Sequence, residues 1–102
     1  MNKARRKELY ALIRMLKRVQ FNDDIDDCIN TLDNIKYDEE YAYNSIPENL
    51  QYSYRAEASE AAIEHMGDAF DALNEAQSCE DGNEFKDFIE DAIRKLENAV
   101  SV

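Results

Sequence analysis

The sequence predicts an all-α protein, an antiparallel helical hairpin extended to a three- or four-helix bundle, and three observations carry that prediction. Apolar residues recur at steps of three and four along nearly the whole chain, the period of a helix with one buried side. The 102 residues include only two glycines and one proline, which is little turn material for a fold of many short strands. Hydrophobic residues at 44% and charged residues at 34% suit one soluble domain with a modest core, so 1–102 is expected to be a single helical domain.

The first element is a basic helix over 3–20, with Leu9, Leu12, Ile13, Leu16 and Val19 on one face. An acidic hairpin over 22–79 follows. Its first arm carries Ile25, Cys28, Leu32, Ile35 and Ala42, with Glu39 as a lapse in the series. The two series differ in phase, because continuing the first would set Asp23 and Asp26 on the apolar seam; a break is therefore expected near Asn22, with Asn22 as N-cap.

The corner of the hairpin reads YDEEYAYNSIPENLQYSYR, holding five of the six tyrosines and the only proline. Ser45-Ile46-Pro47-Glu48 has the form of a capping box with proline in the first turn, so one helix should end near Tyr43 or Asn44 and the next begin at once. Along that next helix Ser59, Ile63, Met66, Phe70, Leu73 and Gln77 mark one face, and Ala58, Ala61, Ala62, Ala69, Ala72 and Ala76 mark another beside it. Two such faces predict two helical neighbours. Gly82 and Asn83 then supply a stop and a cap for a C-terminal helix over 83–100 carrying Phe85, Phe88, Ile89, Ala92, Ile93, Leu96 and Val100.

A turn centred near residue 48 has consequences for register. It sets Cys28 opposite Asp68, with Cys79 ~16 Å further along, too far for a disulfide. Residues 70–79 would then project past Asn22, with Arg14, Lys17 and Arg18 covering them near Glu75, Glu80 and Asp81. Leu9 and Leu12 would be left short of cover, which predicts a homodimer through the first helix.

Net charge is −11 and unevenly placed. Residues 1–20 hold seven basic groups against Glu8, a balance of +6, while the remainder holds five basic and 22 acidic groups, a balance of −17. Such asymmetry points to charge-guided association, within the molecule or with a partner. No apolar run approaches the ~20 residues of a membrane span, and charges interrupt the N-terminal 20 residues where a secretory signal would be apolar, so a cytoplasmic protein without membrane association is expected.

The sharpest pattern is Glu57, Glu60, Glu64, Asp68, Asp71 and Glu75, six carboxylates at steps of three and four along one helical stripe. One function for such a stripe is imitation of a phosphate backbone, occupying the groove of a protein that normally grips nucleic acid. At one charge per ~5 Å it is sparser than duplex DNA at one per ~1.7 Å, so the face bearing Asp26, Asp33 and Glu40 would have to contribute. The plainer alternative is a solvated face that confers solubility. The tyrosines Tyr37, Tyr41, Tyr43, Tyr52 and Tyr54 suit either packing at the corner or contact with a partner. About three are expected to pack, leaving two, taken as Tyr43 and Tyr54, for a partner.

Two further classes of function fit parts of the sequence. Arg5, Arg6, Lys7, Arg14, Lys17 and Arg18 on the first helix could serve a small nucleic-acid-binding regulator, although the −17 of the remainder opposes direct nucleic-acid contact. Lys3, Arg5, Arg6 and Lys7 also lie at a helix N-terminus, where positive charge is unfavourable without compensation from phosphate or from the molecule's own acids. Glu57-x-x-Glu60 with Glu84-x-x-Asp87 is similar to the magnesium-binding pattern of all-α nucleotide pyrophosphohydrolases. His65, the sole histidine, reads as a half-buried packing residue. No nucleophile set, phosphate loop or calcium-loop spacing stands out, so a non-enzyme without cofactor or metal is expected.

The run N-S-I-P-E-N-L-Q-x-S-x-R at 44–55, between an acidic helix and an Ala- and Glu-rich one, resembles uncharacterised short acidic helical proteins of bacteriophages and integrative elements of Gram-positive bacteria, over roughly residues 22–78. The resemblance implies a helical hairpin and a mobile-element setting. By association with small proteins from such elements, it implies a non-catalytic module that engages a host protein, such as an inhibitor of host defence.

Overall fold

A computed structural model describes residues 1–102, with four α-helices and no strand: α1 (Lys3–Leu16), α2 (Asp26–Asn44), α3 (Tyr54–Gln77) and α4 (Gly82–Ser101). Contacts join α1 to α2, α2 to α3, α3 to α4 and α4 back to α1, so the helices form a closed ring in chain order. Successive helices alternate in direction, giving an up-and-down four-helix bundle drawn out to 48 × 19 × 19 Å. The predicted all-α class and the hairpin both stand.

The core follows the apolar series. Leu9, Leu12, Ile13 and Leu16 of α1 meet Cys28, Leu32 and Ile35 of α2, Met66 and Leu73 of α3, and Phe85, Ile89 and Leu96 of α4 in one continuous cluster. On α3 the buried line is Ala56, Ser59, Ala62, Met66, Ala69, Leu73 and Ala76, which runs along the seam between the two predicted faces. Small side chains there let neighbouring helices approach closely while Met66 and Leu73 fill the centre.

Several expectations are corrected. The basic helix stops at Leu16, and 17–25 is a connection in which Asn22 takes a left-handed backbone (φ 76°) that asparagine tolerates better than most residues. Asn22 is therefore not the N-cap of α2; the Asp26 amide donates to Asp24 Oδ1 at 2.9 Å instead. The capping box at Ser45 does not start a helix. Ser45 closes α2, its hydroxyl donating to the Tyr41 carbonyl at 2.8 Å, and Pro47 lies in extended backbone (φ −55°, ψ 145°). A single 3₁₀ turn over Glu48–Leu50 follows before Ser53 caps α3 by accepting from the Ala56 amide at 3.2 Å. At the last helix Asp81, not Asn83, is the cap, accepting from the Asn83 and Glu84 amides at 2.7 and 3.3 Å.

The longer corner shifts the register. Gln77 donates to Asp26, and the Lys36 stem lies against Gly67, so the end of α3 pairs with the start of α2 and does not project past it. Cys28 and Cys79 are both free thiols. Leu9 and Leu12 are fully buried by the chain's own helices, which removes the ground for a homodimer through the first helix. No ion pair links Arg14, Lys17 or Arg18 to Glu75, Glu80 or Asp81; Arg14 and Arg18 instead border a depression shared with Asp23, Asp24 and Asp27. Leu16 at the end of α1 and the connection after it face the N-terminal half of α4 across a shared depression. There Phe21 sits edge-on to Phe85 with ring centres 5.7 Å apart.

Candidate functional site

Helix α3 turns all six carboxylates of the predicted stripe, Glu57, Glu60, Glu64, Asp68, Asp71 and Glu75, toward solvent. The cause is the core line just described: with Ala56, Ser59, Ala62, Met66, Ala69, Leu73 and Ala76 inward, the acidic positions fall on the outer side of the helix. None of the six forms an ion pair. The stripe spans eighteen steps, about 27 Å of helix, with no lysine or arginine between its ends.

The contribution expected from α2 is smaller. Asp33 is exposed and Asp26 accepts from Gln77, but Glu40 is paired with Lys36 at 2.5 Å, so a positive charge lies on that helix beside the stripe. The stripe therefore draws little added negative charge from this part of α2, where Glu40 and Lys36 offset each other.

The tyrosine corner is more open than the sequence suggested. Tyr37, Tyr41, Tyr52 and Tyr54 are exposed by 67%, 70%, 93% and 85%, so four of the five are available and corner packing of three is not what forms. Only Tyr43 is half-buried, its hydroxyl donating to Glu60 Oε2 at 3.4 Å. Partial burial, followed by the Glu60 charge and that hydrogen bond, pushes the Tyr43 phenol above its usual pKa. Tyr43 thus ties the corner to the stripe. Around this contact, Tyr43, Tyr52, Glu48, Glu57, Glu60 and Gln51 enclose a depression of about 430 Å³ with three carboxylates and no basic group.

Two of the basic residues on α1 are engaged within the molecule. Arg5 Nε donates to Glu39 Oε1 at 2.8 Å, and Arg6 Nη2 donates to the Val102 carbonyl at 2.9 Å. Glu39, the apparent lapse in α2, is buried to 1% exposure and also accepts a hydrogen bond from the buried Ser59 hydroxyl. The compensation that positive charge at this helix start requires comes from a buried acid of the neighbouring helix. Lys7, Arg14, Lys17 and Arg18 remain exposed.

The carboxylates of the metal-site alternative are not brought together. Glu57 lies at the start of α3 and Glu84 at the start of the antiparallel α4, a helix length apart, and no group of three or more His, Cys, Asp or Glu side chains is placed to hold a cation. His65 is half-buried on α3. No helix is long and apolar enough to cross a membrane. No protein-family model matches the chain, no curated protein matches it, and no solved structure matches it.

Proposed function

We propose that this protein is a non-catalytic interaction module whose acidic stripe and tyrosine corner engage a basic surface of another protein, one that ordinarily grips nucleic acid. The reading rests on a single observation: six carboxylates stand in line on α3, all exposed and none neutralised by a partner within the chain. Like charges at that spacing cost a few tenths of a kcal/mol per pair in an isolated helix, and an arrangement that leaves them unrelieved suits a face completed by an external cation-rich surface.

Chemistry at the corner supports the same reading. Tyrosines offer broad contact area with little rotamer entropy to lose, and a depression bounded by Tyr43, Tyr52, Glu48, Glu57 and Glu60 suits an arginine or lysine side chain from the partner. The proposed setting is a phage or mobile element, and the proposed role is inhibition of a host defence or other nucleic-acid-binding protein by occupying its groove.

The test is capture of partners from a bacterial lysate at low and at high salt. Capture at low salt that fades as salt rises is expected for the wild type, and loss of that capture is expected when Glu60, Glu64 and Asp68 are all changed to lysine. Salt-independent capture through an apolar face would overturn the proposal.

A further inference from the structure

We propose a second site, independent of the acidic surface: a small cavity at the end of the bundle that binds a compact organic anion, a carboxylate head on a short apolar body. The cavity measures about 280 Å³ and lies where the start of α1, the end of α2 and the start of α3 meet. That volume is near the lower end for small-molecule sites, which run from ~300 Å³ upward.

Its walls divide by chemistry. One side is apolar, formed by Ala42, Ile46, Pro47 and Leu50; the other carries Arg5, Arg55, Ser53 and Ser59 around the buried Glu39. Both oxygens of Glu39 are already engaged: Oε1 accepts from Arg5 Nε, and Oε2 accepts from the Ser59 hydroxyl with the N-terminal ammonium of Met1 3.8 Å away. Acceptors at the adjoining helix end are also engaged: the Tyr41 carbonyl receives both the amide and the hydroxyl of Ser45, and the Ile46 carbonyl receives Gln51 Nε2.

Donors are left over. Arg5 uses only Nε, so both of its terminal nitrogens are uncommitted, and Arg55 makes no hydrogen bond or ion pair within the chain. The Ser53 oxygen accepts from the Ala56 amide, which leaves its hydroxyl proton to give. Two guanidinium groups and the N-terminal ammonium of Met1 stand against one carboxylate, so the lining carries surplus positive charge in a protein of net charge −11. A ligand that fits brings acceptors and negative charge to the arginine side and an apolar body to the Ile46–Leu50 side. A guanidinium offers paired N–H groups matched to a carboxylate.

Titration of the full chain with hexanoate, followed by amide shifts in ¹H–¹⁵N NMR spectra, tests the assignment, with hexanol and inorganic phosphate as parallel arms. The expected result is saturable hexanoate binding with shifts centred on Ala42, Ile46, Leu50 and Ser59, and at least tenfold weaker binding of both hexanol and phosphate. Arg55→Gln should weaken hexanoate roughly tenfold or more while leaving the thermal midpoint in place, because Arg55 is exposed and makes no hydrogen bond or ion pair within the chain. Equal response to hexanol, equal response to phosphate, shifts scattered away from the cavity, or indifference to Arg55→Gln would each overturn the proposal.

Discussion

Glu39 is the residue on which the end of the bundle depends. It lies among apolar positions of α2 with Arg5 and Ser59 as partners, and removing one member of such a buried set leaves the others charged or polar without solvent. Glu39→Ala is expected to lower unfolding free energy by about 3 kcal/mol in urea titrations. The combined change Glu39→Leu, Arg5→Met and Ser59→Ala should recover part of that loss, because an apolar set needs no compensation, while the N-terminal ammonium 3.8 Å from Glu39 Oε2 still loses its counter-ion. The sequence showed Glu39 only as a break in a periodic series. Its partner sits 34 residues away on another helix, and the register between those helices is not written in either series. Tyr43 offers a second residue-level check. Its phenol is held above the usual value by partial burial and then by Glu60, so the folded state favours the protonated form. The resulting stability is present below the unfolded pKa and is lost as pH rises through the folded one. In an alkaline absorbance titration Tyr43 should ionise above the ordinary tyrosine range, and Tyr43→Phe should remove that late step. Burial, with Asp27 second, likewise raises the Cys28 thiol, so Cys28 should resist a thiol reagent until the protein unfolds.

Among the elements, the corner separates what local signals decide from what they do not. Helix existence was legible because apolar spacing reports burial directly: α1, α2 and α4 bury most of the series that predicted them, whereas α3 buries the seam between its two predicted faces and leaves Ile63, Phe70 and Gln77 outside it. The start of α3 was misplaced because Ser45-Ile46-Pro47-Glu48 satisfies a capping-box pattern that the chain does not use. With Pro47 extended, the connection runs through a 3₁₀ turn to Ser53, whose N3 position holds Ala56 where the box would want an acid or amide. The added length carries the end of α3 alongside Asp26 and so alters the whole register. Ser53→Ala and Asp81→Ala are each expected to destabilise by about 1 kcal/mol, as lost N-caps. Ser45→Ala should change stability by less than about 0.5 kcal/mol, since its amide still bonds the Tyr41 carbonyl. Denaturant midpoints of the three variants measure the contrast, and a larger loss at Ser45 than at Ser53 would restore the capping-box reading.

For the molecule as a whole, the distribution of charge was legible and its local pairing was not. The acidic stripe could be drawn from spacing alone, and its outward direction follows from the apolar residues between its members. That Arg5 would turn inward, or that four tyrosines would stand free, depended on three-dimensional packing across distant segments. With −11 in total and an unrelieved line on α3, the folded state carries self-repulsion that salt screens. The thermal midpoint should therefore rise between low and moderate salt, and the rise should shrink when Glu60, Glu64 and Asp68 are changed to their amides. An unchanged rise in that variant would mean the stripe is not where the repulsion lies.

The most direct measurement of the central claim is a competition titration, in which duplex DNA is added to the complex of this protein with a partner captured from bacterial lysate. Displacement by DNA at low salt, together with failure of the Glu60→Lys, Glu64→Lys, Asp68→Lys variant to form the complex at all, is the predicted result. A complex that the triple variant forms with undiminished affinity, untouched by added DNA, would contradict it.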